Sequence, residues 1–154
     1  MPSDKPSGAD RDADISLGLL PSLLGYALRR AQVAVFQNFT DVVGASELTP
    51  GQFGVLVVID ANPGLSQTQL GNALGIDRST VVAVIDRLES RDLVARQPAP
   101  NDRRSHALHL TDAGKTTLRR LTDRVRTHER QIARDLSSDE RESLVELLGR
   151  VARE

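Results

Sequence analysis

The sequence predicts a mainly α-helical chain with one small β-hairpin, a winged helix-turn-helix flanked by further helices. Three observations lead there. Two short capped helices, "QTQLGNALG" and "RSTVVAVIDRLESR", are parted only by Gly75-Ile76-Asp77. Two short apolar-alternating runs follow at once, about residues 93–97 and 106–110, joined by "QPAPNDRRS". Longer stretches with helical apolar spacing lie before and after this unit.

Bulk properties set the class. The chain has 154 residues, 39% apolar and 27% charged, with a net charge of -1. That suits one ordinary globular domain with a real core, and any claim about nucleic acid must rest on local charge. Cysteine is absent, which excludes disulfides, thiolate zinc sites and thiol redox sensing. The polar, acidic first fourteen residues read as a mobile tail and lack the apolar segment of a signal peptide. The longest apolar runs, residues 55–59 among them, are far too short to span a bilayer, so a cytoplasmic protein is expected.

The elements follow in order. From Leu17 to about Val43, Leu20, Leu24, Leu28, Val35 and Phe39 recur at helical spacing, with Pro21 tolerated in the first turn. Thr49 is the expected N-cap of the next helix, with Pro50 at its first position and Gln52 closing a capping box; "NPG" at 62–64 stops it. Ser66, with Gln69, caps the third helix, Gly75 ends it, and Asp77 caps the fourth. In that fourth helix Val81, Ile85 and Leu88 should pack on Leu70, Leu74 and Ile76, leaving Arg78, Ser79, Val82 and Ala83 outermost. In the second strand Ala107 and His109 share one face, and His106, Leu108 and Leu110 the other. Thr111 caps a charged helix over about 112–134. Ser137 and Glu140 open a last one with Leu144, Leu147, Leu148 and Val151 apolar. The expected division is a tail at 1–14, an N-terminal helix within 15–47, the winged helix-turn-helix at 48–111, and C-terminal helices at 112–154.

A hairpin after a helix-turn-helix is a wing, which reaches past the second helix to phosphates or into a minor groove. Arginine suits that task, because a narrow minor groove concentrates negative potential. Asp102 beside Arg103 and Arg104 is read as a buttress that holds a guanidinium in place.

The motifs "LTPGQFGVL", "GLSQTQLGNALGIDRSTVVAVIDRLESRDLV", "NDRR" and "LTDAG", in this order between Leu48 and Gly114, resemble the MarR family of dimeric winged-helix regulators. With the flanking helices the likeness covers about residues 17–152. It implies a homodimer joined through the first and last two helices, bound to a pseudo-palindromic operator and usually released by a small molecule. Two departures stand out. Val82 and Ala83 occupy positions that are often polar in the family, so contacts there reduce to thymine methyls. Asp92 stands where glycine commonly closes the recognition helix, a left-handed position that Asp tolerates at about 1 kcal/mol.

Expected DNA contacts follow from chemistry and placement. Arg78 is placed to pair bidentately with guanine, and Arg103 and Arg104 to serve the wing. Ser79 and Thr80 either donate to DNA or merely satisfy their own helix. Ser66, Gln67 and Thr68 open a helix whose N-terminus suits a phosphate, although Ser66 can equally be only a cap. Residues 77–104 hold six arginines against five acids, so affinity should depend on placement more than on raw charge. Arg87 and Arg91 can instead pair with Asp86 or Glu89 along their own helix.

For the effector, the family's ligand usually lies near the first helix. There Tyr26, Phe36 and Phe39 are three of four aromatics in the chain, with Arg29 and Arg30 between them. They suit an aromatic carboxylate or a coenzyme A thioester, and the segment is similar to family members governing aromatic-acid catabolism. The competing reading makes these aromatics dimer core and the arginines a solvated face. His106 and His109 lie on opposite strand faces and His128 stands alone on a polar helix, so no metal or other cofactor is expected. No nucleophile–base pair or phosphate loop suggests an enzyme. The competing function is a winged-helix protein-interaction scaffold without DNA binding, favoured only by Val82 and Ala83.

Overall fold

In a computed structural model the described residues are 15–45, 47–99 and 102–152, with the backbone alone at residues 99 and 102–105. The described residues fall into two compact units, divided between Val35 and Phe36. In the first, a single 3₁₀ turn over Leu20–Ser22 precedes the helix α1, Leu24–Val43, which runs on into the second unit. The expected start near Leu17 is therefore displaced. Pro21 has no N–H to donate, and Leu23 is extended (ψ 127°), so the α-helix begins only after it. Leu19, Leu20, Leu23, Leu24 and Val33 are all exposed.

The second unit continues with α2 (Pro50–Ala61), α3 (Gln67–Leu74), α4 (Arg78–Ser90), β1 (Val94–Ala99), β2 (Asp102–Leu110), α5 (Asp112–Ile132) and α6 (Ser138–Val151). The three capping boxes expected from sequence all form, at Thr49–Gln52, Ser66–Gln69 and Ser137–Glu140. Thr111 caps α5 and Asp77 caps α4. Gly75 takes the left-handed conformation at φ +63° that ends α3, where a side chain would be strained.

One core unites the second unit. Val81, Ile85 and Leu88 of α4 are buried with Leu70 of α3, Leu56 and Ile59 of α2, Leu108 of β2 and Leu121 of α5, while Leu74 and Ile76 pack against the cluster. The alternation expected in β2 is incomplete, because Ala107 is buried as well as Leu108 and Leu110. The backbone of residues 64–65 supplies part of the reason: Gly64 N–H donates to the Leu108 carbonyl at 2.8 Å, and Leu108 N–H to that of Leu65 at 2.9 Å, closing the second edge of β2.

The hairpin is longer than the sequence suggested. The pairing runs antiparallel from Val94↔Leu110 through Pro98↔His106 to Ala99↔Asp102, with a register shift at Pro98/Ala99. Pro98 does not break the ladder. Arg96 points its N–H away from β2 toward Glu89, and the alternation of strand hydrogen bonds gives Pro98 the same outward side, where no donor is needed.

At the end of α4, Asp92 adopts φ +56°, the left-handed conformation anticipated for it. Its N–H donates to Glu89 and that of Leu93 to Leu88, so the last carbonyls of the helix are satisfied. Replacing Asp92→Gly removes the Cβ strain and is expected to raise stability by up to about 1 kcal/mol in urea unfolding. A loss of stability would mean that the aspartate side chain itself supports the turn.

Arginines from α5 and from the turn that ends α4 fasten the connection between α1 and α2. Arg120 grips both carboxylate oxygens of Glu47 at 2.7 and 3.0 Å, Arg91 donates to the Glu47 carbonyl at 2.8 Å, and Arg124 to that of Val43 at 2.8 Å. The hydrogen bonds from Arg120 hold the Glu47 carboxyl below its ordinary range.

Candidate nucleic-acid interface

The exposed end of the helix-turn-helix is the N-terminal half of α4. Arg78, its first residue, is exposed, as are Ser79, Thr80 and Ala83, while Val82 is half-buried. The cause is the helical period: Val81, Ile85 and Leu88 take the core face and leave these positions outward. At the N-terminus of α3, Ser66 and Gln67 are half-buried and Thr68 is exposed.

Asp77 organises the first turn of α4. It accepts from the hydroxyl of Ser79, from Thr80 Oγ1 at 2.6 Å and from Thr80 N–H at 3.0 Å. Both candidate hydroxyls are therefore engaged by their own helix cap in the free protein. Ser66 is likewise occupied, accepting from Gln69 N–H at 3.2 Å. The hydrogen bonds from Ser79 and Thr80 hold the Asp77 carboxyl well below the ordinary value of 3.8. A depressed carboxyl contributes stability in full above its unfolded pKa and loses it progressively as pH falls from that value through the lowered folded one, while the folded protein itself takes up the proton only near the lowered value. The Thr80 amide resonance should therefore stay constant through pH 3.8 and move only in stronger acid. A midpoint at 3.8 would remove this account of the cap.

Asp102, Arg103 and Arg104 lie on the backbone of β2, within a paired strand and not in an open loop. Their side chains, and with them the expected Asp–Arg buttress, lie outside the described residues.

The sequence reading missed Arg96. It offered Asp86 or Glu89 as alternative partners for Arg87 and Arg91, yet both acids pair with Arg96 of β1, at 2.6 Å for Asp86. The helical spacings explain the correction: Asp86 to Arg87, Arg87 to Glu89 and Glu89 to Arg91 are one or two residues apart, and Asp86 to Arg91 five, so none faces its partner. Arg91 turns to Glu47 instead. The available signal was a pair of acids at i and i+3 on α4 with a cation at alternate-strand spacing nearby. Burial opposes the Arg96 charge, but the hydrogen bonds it donates to Asp86 and Glu89 outweigh it and raise the pKa above the usual guanidinium value.

The candidate effector residues fall in both units. In the first, Tyr26 is half-buried with the Arg30 guanidinium carbon 6.0 Å from its ring centroid, and Arg29 is exposed. In the second, Phe36 is exposed and Phe39 is buried, edge-on to His128 at 5.3 Å and 80°. His128, read from sequence as alone on a polar helix, is buried, and its Nδ1–H donates to Asn38 Oδ1 at 2.8 Å. Among the described residues no cluster of three His, Asp or Glu could hold a metal ion, and no helix is long and apolar enough to cross a membrane.

Comparison with known proteins places this geometry. The MarR family profile matches residues 46–105. A Thauera aromatica protein described as a regulatory protein for the hcr operon is 39% identical over 151 residues, 97% of this chain and 90% of that protein. Among solved structures, the transcriptional repressor CouR bound to a 23-mer DNA duplex is 46% identical with a TM-score of 0.85, over 92% of this chain and all of that one. CouR bound to p-coumaroyl-CoA is 44% identical with a TM-score of 0.83, over 92% of this chain and 99% of that one.

Proposed function

The chain belongs to the MarR family, and from that premise we propose that it is a transcriptional repressor, not an enzyme, acting in the cytoplasm on operator DNA. Two copies present their α4 helices to successive major grooves about 34 Å apart, with the wings reaching the flanking minor grooves. The observation that carries the reading is the exposed N-terminal end of α4, with Arg78 at its first position on a fully formed helix-turn-helix. Ser66, Gln67, Thr68, Ser79 and Thr80 lie near phosphates, Val82 and Ala83 supply apolar contact, and Asp102, Arg103 and Arg104 serve the wing.

The homodimer is supported by the apolar residues that the single chain leaves exposed on α6, namely Leu144, Val145, Leu147, Leu148 and Val151. The effector proposed is an aromatic carboxylate or its coenzyme A thioester. Its support is the cationic and aromatic character of Tyr26, Arg29, Arg30, Phe36 and Phe39, and the p-coumaroyl-CoA bound by CouR. Such a ligand releases DNA by favouring a spacing of the two α4 helices that no longer matches the half-sites, and so must bind that state more tightly.

The test is a salt-titrated gel shift on DNA flanking the gene, with aromatic acids and their coenzyme A thioesters added in turn. A specific shift abolished by one compound establishes both repressor and inducer class. Arg104→Ala is expected to weaken operator binding by about tenfold or more. An unchanged affinity, or no specific shift even at low salt, would instead favour the interaction scaffold.

A further inference from the structure

Arg96 lies on β1 with only 18% of its side chain exposed, a rare setting for a guanidinium unless its partners are fixed. Those partners come from both helices of the helix-turn-helix. Nη2 donates to Asp86 Oδ1 at 2.6 Å and Nη1 to Glu89 Oε2, while the Arg96 backbone N–H donates to Glu89 Oε1 at 3.3 Å. With the Gln67 amide oxygen turned toward it, Nε donates there at 2.8 Å and Nη2 at 3.3 Å. One planar fork thus joins the wing strand, the C-terminal half of α4 and the first residue of α3.

We propose that Arg96 is a positioning residue that locks α3, α4 and the wing in one relation and so sets how sharply the protein distinguishes its operator from other DNA, without touching DNA itself. The proposal rests on the DNA-binding reading above. Specific recognition needs base-edge contacts from α4 and backbone contacts from α3 and the wing to be met together, because those hydrogen bonds weaken steeply with angle. Non-specific binding is governed by charge near phosphates and tolerates slack. Loss of the fork therefore penalises the operator far more than random sequence. Lysine cannot substitute, since a point ammonium cannot span Asp86, Glu89 and Gln67 at once.

The experiment measures dissociation constants for operator and for random duplex of equal length across a salt series. The proteins are wild type, Arg96→Lys, the double variant Asp86→Asn/Glu89→Gln, and all three substitutions combined. Arg96→Lys is expected to lower the operator-to-random preference about tenfold or more, with random-duplex affinity and its salt slope nearly unchanged. The combined variant should lose little more preference than the worse of its parents, because both remove the same interaction. Equal losses on both duplexes, with a salt slope reduced by about one per subunit, would make Arg96 a phosphate contact and overturn the proposal. A preserved preference in Arg96→Lys, or full additivity in the combined variant, overturns it as well. Should Arg96→Lys fail to fold, the double variant decides alone, since Asp86 and Glu89 are substantially exposed; it must lose the preference. If wild type itself shows no preference, it is the DNA-binding reading that fails.

Discussion

Gly114→Ala is expected to cost about 3 kcal/mol or more of stability, well beyond the propensity gain that alanine brings to a helix, which is at most about 1 kcal/mol and smaller in the first turn where Gly114 stands. The reason is a close approach. A Cβ on Gly114 would lie 2.0 Å from the Leu93 carbonyl oxygen and 2.9 Å from its carbon. Both atoms are backbone, and neither can give way without moving the turn that ends α4. That turn is tied to the start of α5 by Thr111, whose hydroxyl donates to the Asp92 carbonyl at 2.5 Å and whose N–H donates to that of Leu93 at 3.2 Å. The added methyl therefore pushes α5 away from the end of the recognition helix, and the core around Leu93 and Leu118 opens with it. Urea unfolding at fixed protein concentration measures the loss, since the stability of a dimer depends on concentration. A variant within about 0.5 kcal/mol of wild type would show that α5 can shift freely, which close-packed cores do not allow.

Arg78→Ala should be the most damaging single change to operator binding. A bidentate arginine–guanine pair is worth about 1–3 kcal/mol of discrimination, and a two-fold operator counts it twice, so the loss spans roughly thirtyfold to twenty-thousandfold. Sequence selection from random DNA should show the accompanying sign, a relaxed base preference at one symmetric pair of positions. A uniform loss on every sequence would place Arg78 on a phosphate instead. An unchanged affinity would withdraw it from the interface. The exposure of Arg78 at the start of α4 makes the substitution safe for the fold, because it touches none of the buried face.

Local signals in the chain were legible wherever both partners of an interaction lie within one turn. Thr49 with Gln52, Ser66 with Gln69 and Ser137 with Glu140 are three residues apart, and a capping box needs nothing beyond that spacing. The buried stripe of Val81, Ile85 and Leu88 could be anticipated from the helical period, whereas the turn at Asp92 was anticipated from the family resemblance, which places glycine there. The length of the hairpin could not. Prolines at 98 and 100 and charges beside them read as a loop, and only the direction in which the Arg96 N–H points shows why Pro98 sits in a strand.

The order of capped helices, the helix-turn-helix and its wing, and the outward face of α4 were decided by amino-acid periodicity and capping chemistry, because those act over three or four residues. The partners of the charged and buried polar groups were decided by tertiary structure. Glu47 and Arg120 are 73 residues apart, Val43 and Arg124 are 81, and Asn38 and His128 are 90. Arg96 had acids available on its own side of the sequence, yet their assignment to it, and not to Arg87 or Arg91, depended on which strand edge faces α4. The glycine at 114 is required by a carbonyl twenty-one residues earlier, and no local pattern records that contact. Propensity is a property of one segment, whereas an ion pair or a close backbone approach exists only once two segments have been brought together by the burial of the core between them.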